Sequence, residues 1–126
     1  MRAVDTNVLV RLIVGDDAKQ SSAAETFVER GAWVSHLVLV EATWVMASVY
    51  DRAPSEIATA VEMLLHHEHL TVEKSDVVSG ALQSFRRHPA LGFSDCLVLE
   101  VAKSAGHVPL GTFDRPLARL EGTQRL

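Results

Sequence analysis

Four acids of this sequence stand in settings where a carboxylate can bind or react: Asp5, Glu41, Asp95 and Asp114. Asp5 follows the short apolar run Ala3-Val4 and precedes Thr6-Asn7. Asp95 follows Gly92-Phe93-Ser94, and Asp114 follows Gly111-Thr112-Phe113 and precedes Arg115-Pro116. Taken singly, Asp5, Asp95 and Asp114 each have a structural explanation, because an acid at a helix start satisfies free amides and complements the helix dipole. Glu41 differs. Leu37, Val38, Leu39, Val40, Ala42, Trp44, Val45 and Met46 surround it, and no Lys or Arg lies within four residues on either side. A helix apolar all round is expected to be buried. A buried carboxylate needs a base or a cation to offset its lost hydration.

The elements expected to position these acids alternate. A first strand ends at Asp5, and a helix follows over residues 6 to 14 with Gly15 after it. Gly15-Asp16-Asp17 is a turn and cap, and an amphipathic helix runs from 18 to 30 with Ala23, Ala24, Phe27 and Val28 inward and Gly31 as its stop. Residues 32 to 35 form a short strand, and His36 to Tyr50 the apolar helix that carries Glu41. Pro54 starts a helix to about His67, Leu70-Thr71-Val72 is a strand, and Ser75 to about Arg87 another helix. Residues 88 to 92 are a loop, and Phe93-Ser94-Asp95 opens a helix that ends before Gly106. A strand over 108 to 113 ends at Asp114, and a helical turn (Pro116 to Leu120) and a last strand (Thr123 to Leu126) close the chain. Short strands alternating with helices predict an α/β fold with a parallel sheet.

In a parallel sheet, strand carboxyl ends and helix amino ends share one edge. The four acids are therefore expected to meet in one crevice, with Thr6, Asn7, Ser94 and Thr112 as polar neighbours. Ionised carboxylates gathered there need counter-charge. Oxygen-only ligands favour Mg²⁺ or Mn²⁺. Such a site suits hydrolysis of a phosphodiester, in which one metal activates water and a second, ~3.5–4 Å away, stabilises the leaving oxygen.

Composition sets limits. At 126 residues with 48% apolar content, the chain is expected to form one domain, 1–126, that buries roughly two thirds of its unfolded surface. No apolar run is long enough for a membrane span, and Asp5 and Arg11 interrupt any secretory leader pattern. The single cysteine, Cys96, excludes an internal disulfide and suits a reducing, cytoplasmic setting. A net charge of −4 argues against nucleic-acid binding over the whole surface, but leaves room for a basic rim around an acidic cleft. Arg86, Arg87 and His88, with Lys103 and Arg115, are candidates for that rim.

Val4-Asp5-Thr6-Asn7, Glu41 in its apolar helix, Gly92-Phe93-Ser94-Asp95 and Gly111-Thr112-Phe113-Asp114 together resemble a PIN-domain ribonuclease. Within that family the chain is similar to the VapC-type toxins of bacterial toxin–antitoxin pairs. The resemblance spans the chain in order. It implies a three-layer fold with a short central parallel sheet flanked by helices. Asp5, Glu41, Asp95 and Asp114 would be the metal-binding, catalytic quartet, supported by Thr6 or Asn7 and by Thr112. It further implies Mg²⁺- or Mn²⁺-dependent endonucleolytic cleavage of RNA, a homodimer, and inhibition by a cognate antitoxin. Leu99 stands where some relatives offer another polar group.

Other residues invite different chemistry. Glu62, His66 and His69 share a helix face, which a zinc site would need, although histidines at a helix end also complement the dipole. Cys96 is expected to be a buried apolar residue rather than a nucleophile. Trp33 and Trp44 are expected in the core or at a dimer interface. Two other classes compete: a receiver-like phosphoacceptor domain and a catalytically inactive partner-binding module. The first would want paired acids after the first strand and a lysine after the last. The second would have no need of four intact acids.

Overall fold

The computed structural model describes all 126 residues and divides into two compact units, Met1–Ser75 and Asp76–Leu126.

In the first unit, β1 (Arg2–Ala3), β2 (Ala32–Val34) and β3 (Leu70–Val72) form a parallel sheet in the order β1-β2-β3. Ala3 pairs with Trp33 and Val34 with Val72. Parallel neighbours need helical crossovers. These are α1 (Thr6–Val14) with α2 (Ala18–Val28), and α3 (His36–Ser48) with α4 (Pro54–His66). The helix limits follow local chemistry. Asp17 Oδ1 accepts from Gln20 N at 3.0 Å to cap α2, and Ser35 Oγ accepts from Val38 N at 3.1 Å to cap α3. Gly15 closes α1 at φ +66°, a left-handed conformation that glycine adopts without penalty. Pro54 opens α4, where its missing N–H removes no helical hydrogen bond. Arg11 donates to Gln20 and Asp16, both at 2.6 Å, and to the Tyr50 hydroxyl at 3.1 Å. The Tyr50 hydroxyl donates in turn to Asp16 at 3.0 Å. This knot ties the end of α1 to α2 and to the loop after α3.

Helix α1 packs on α2 and α3, and α4 on β3 and α3. The buried stripe of α3 is Leu39, Ala42, Thr43 and Met46, spaced for one helical face. The opposite face is open: Leu37 is 83% exposed, Trp44 65% and Glu41 also exposed. The expectation of a helix buried on all sides is corrected here. Apolar side chains all round left no periodicity to mark a surface face. Trp33, at 38% exposure, and Trp44 are accordingly not core residues of this chain. On α2, Ala24 and Val28 are buried, whereas Ala23 is exposed and Phe27 half-buried beneath the Arg2 guanidinium, 3.8 Å from the ring centre.

In the second unit, α5 (Ser75–Arg87, its first residue in the first unit) buries Val77, Val78, Ala81, Leu82 and Phe85, and α6 (Phe93–Ala105) buries Phe93, Cys96, Leu97 and Leu99. Phe85 and Phe93 meet edge to face, with ring centres 5.8 Å apart, an arrangement that suits aromatic quadrupoles. Gly106 closes α6 at φ +81°. The strand expected at 108–113 shortens to β4 (Leu110–Thr112). It pairs in parallel with β5 (Thr123–Arg125), Thr112 opposite Arg125. A 3₁₀ turn at Leu117–Arg119 links them and buries Leu117. The strands are all parallel, as expected, but their hydrogen bonds form a three-stranded and a two-stranded sheet.

Candidate active site

Asp5 lies two residues beyond the end of β1 and is the N-cap of α1, its Oδ1 accepting from Val8 N at 3.1 Å. Val4 N donates to Trp33 O at 3.2 Å, so the sheet holds the residue that precedes the acid. Asp5 and Asn7 border a cavity of about 710 Å³ whose walls include Val8, Ala23, Ala24 and Phe27, with Arg11 and Gln20 also lining it. Thr6 is the first residue of α1. Glu41 stands in the second turn of α3 on the exposed stripe that carries Leu37 and Trp44. The burial from which a cation was inferred at Glu41 is absent. What survives is an exposed acid that enters no ion pair.

In the second unit, Asp95 sits in the first turn of α6 and is half-buried. Its carboxyl is held above the ordinary value of 3.8, first by burial and then by the negative charge of Asp114, while a backbone hydrogen bond from Gly92 pulls the other way. Asp95 and Asp114 are therefore close enough to feel each other, and neither is neutralised by a base. Asp114 follows β4. Its backbone N–H donates to Thr112 Oγ1 at 3.0 Å, and its Oδ1 accepts from Leu117 N at 3.4 Å. Thr112 thus shapes the turn that carries Asp114. Ser94 lies beside Gly92, where an added Cβ would stand 3.5 Å from Ser94 Oγ and 3.8 Å from Asp95 Oδ2. Leu99 is 1% exposed and serves the core.

Among the basic candidates, Arg87 and Lys103 line a cavity of about 340 Å³ with His88, Glu100 and Glu121. Lys103 lies 3.7 Å from Glu100. Arg86 is an exposed residue of the last turn of α5 with partners of its own. Arg115 is exposed beside Asp114.

The competing features resolve into structure. Cys96 is buried, its thiol pushed up first by burial despite a hydrogen bond to Ser84, which disfavours the thiolate a nucleophile requires. His66 Nδ1 lies 2.9 Å from Glu62 O within its own helix, and His69 pairs with Glu68 at 3.2 Å. No group of three or more His, Cys, Asp or Glu side chains is assembled as a ready metal cage within either unit. Within the second unit, Asp95 and Asp114 are like-charged oxygen donors with no counter-ion, chemistry that suits a hard cation. Within the first, Asp5 and Glu41 are carboxylates free of ion pairs.

Two features lay outside sequence reasoning. One is the cavity beside Asp5, which depends on how α1 and α2 fold together. The other is the position of Phe113, which is 80% exposed directly before Asp114.

Comparison with known families shows that the PIN domain family model matches residues 2–122. No curated protein matches the chain, and no solved structure does. No helix is long and apolar enough to cross a membrane.

Proposed function

The chain belongs to the PIN-domain family, whose members are generally nucleases, and from that premise we propose that it is a Mg²⁺- or Mn²⁺-dependent endoribonuclease, the toxin of a toxin–antitoxin pair. The observation that carries the metal-dependent part is the pairing of Asp95 with Asp114. Burial, and then the charge of Asp114, raises the carboxyl of Asp95, and no base relieves the pair. Like charges held together in a folded protein cost stability unless a cation joins them. In this proposal Asp5, Glu41, Asp95 and Asp114 hold the cation.

When bound, a divalent ion neutralises charge on a phosphodiester and lowers the pKa of water at the site. The chain's own residues do the rest. Asp5 and Asp114 present carboxylate oxygens whose directions are set by caps to Val8 and Leu117. Thr112 holds the turn of Asp114. The attacking group is water, since Cys96 is buried and its thiol pushed up. Arg87, Lys103 and Arg115 are proposed to meet the RNA phosphates, together with Arg86.

A homodimer and a cognate antitoxin belong to the same proposal. The open face of α3, with Leu37 and Trp44, supports a protein partner, because exposed apolar stripes of this kind mark interaction surfaces. The test is cleavage of end-labelled single-stranded RNA by the purified chain. Activity should require Mg²⁺ or Mn²⁺, vanish with chelator, and be lost in Asp5→Asn and Asp95→Asn. Cleavage that persists in chelator or in both variants overturns the assignment. The toxin role is tested by expressing the chain with and without its neighbouring reading frame; normal growth in both cases counts against it.

A further inference from the structure

Three of the four phenylalanines are used in packing. Phe85 and Phe93 contact each other in the core, and Phe27 lies under Arg2. Phe113 is the exception, at 80% exposure. Its backbone is well held. Leu126 N donates to Thr112 O at 2.9 Å on one side of it, and Asp114 N to Thr112 Oγ1 and Ala118 N to Asp114 O, both at 3.0 Å, on the other. A rigid turn thus presents an aromatic ring to solvent one residue before an acid coupled to Asp95.

Beside the acid Asp114, the same turn and strand pair carry three arginines. Arg115 lies two residues on, and Arg125 is the register partner of Thr112. Both are exposed, as is Arg119 in the intervening 3₁₀ turn, and none of the three enters an ion pair. An exposed ring on a turn whose neighbouring segments carry unpaired arginines suits single-stranded nucleic acid: the ring takes a base face and the arginines take phosphates. An apolar protein partner would leave those three charges without partners as it covered the ring.

Resting on the ribonuclease function proposed above, we propose that Phe113 is the platform on which one base of single-stranded RNA stacks. That base belongs to a nucleotide flanking the phosphodiester at Asp114, since adjacent Cα atoms are ~3.8 Å apart. Phe113 is a positioning residue: it sets which bond lies at the acids and favours strands whose bases are unpaired. Duplex RNA, with its bases already stacked, gains nothing from the ring.

The experiment is steady-state cleavage of a single-stranded oligoribonucleotide by the full chain and by Phe113→Ala and Phe113→Tyr. One abasic position is then moved along the oligonucleotide beside the cut. Phe113→Ala should raise KM about tenfold or more, the stacking contribution of one base. It should melt like the wild type, because the ring is exposed, and Phe113→Tyr should restore KM. One abasic position should weaken the wild type to the level of Phe113→Ala and have no further effect in that variant. An unchanged KM in Phe113→Ala, or an abasic penalty equal in both proteins, overturns the stacking role while leaving the nuclease assignment intact. An altered sedimentation coefficient with unchanged KM overturns it in favour of a protein partner. A wild type that cuts no RNA at all removes the ribonuclease assignment, and this role with it.

Discussion

If a second copy of the chain covers the open face of α3, Trp44→Ala should dissolve the dimer without unfolding the protomer. A tryptophan side chain covers up to ~250 Å², so an exposure of 65% leaves about 160 Å² for a partner to bury. At ~25 cal/mol per Å² that area corresponds to about 4 kcal/mol. Side-chain ordering and imperfect fit reduce it toward the ~2 kcal/mol that marks a well-placed interface residue. A two-fold interface contains the residue twice, so the variant should lose about 4 kcal/mol, roughly a thousandfold in Kd. The protomer should hardly notice, since an exposed substitution away from special contacts stays within about 0.5 kcal/mol. Sedimentation velocity across a dilution series reads the first effect, and denaturant unfolding in the dissociated range reads the second. A wild type that is monomeric throughout, or a variant that associates like the wild type, would refute the assignment of this face to self-association.

Substitutions at three further positions separate structure from chemistry. Asp5→Ala should lose the cap to Val8 and about 0.5–2 kcal/mol of stability, whereas Asp5→Asn should keep most of that stability and still lose cleavage; equal melting of the two variants would remove the capping role. Asp95→Asn should melt higher than the wild type at neutral pH in metal-free buffer. The folded carboxyl lies above 3.8, so the native state binds its proton more tightly than the unfolded state, and stability falls as pH rises through that window. The advantage of the Asp95→Asn variant should fade as the pH is lowered below 3.8, and an advantage independent of pH would contradict the electrostatic cause. Leu99→Ala should cost about 2–5 kcal/mol in denaturant unfolding, because Leu99 is 1% exposed; a loss below about 1 kcal/mol would mean that the site is not tightly packed.

The order and kind of the elements were legible because punctuation and propensity agree in this chain. Gly15 and Gly106 end helices in left-handed conformations, Asp17 and Ser35 cap the helices that follow them, and Pro54 opens α4. Asp5 at the end of a strand and Asp95 in the first turn of a helix were likewise readable from position alone. The surroundings of Glu41 were not. In a helix whose apolar residues point every way, composition signals burial, yet only the stripe through Leu39, Ala42, Thr43 and Met46 is covered. The partition of the strands was equally hidden, since the pairing of Thr112 with Arg125 depends on a tight turn at Leu117–Arg119 rather than on any pattern within either strand. The same pairing sets Arg125 opposite Thr112, a neighbourhood that the separation of the two residues in sequence conceals.

The caps at Asp5 and Asp114 carry a consequence for binding entropy. A free aspartate rotates, and a ligand that captures it must halt that rotation. Here one oxygen of each carboxylate accepts from a backbone amide, at 3.1 Å in Asp5 and 3.4 Å in Asp114, and the direction of the other oxygen is thereby restricted. The ordering is completed when the chain folds. Whatever these acids bind meets groups that are already oriented, so a cost of capture has become a cost of folding.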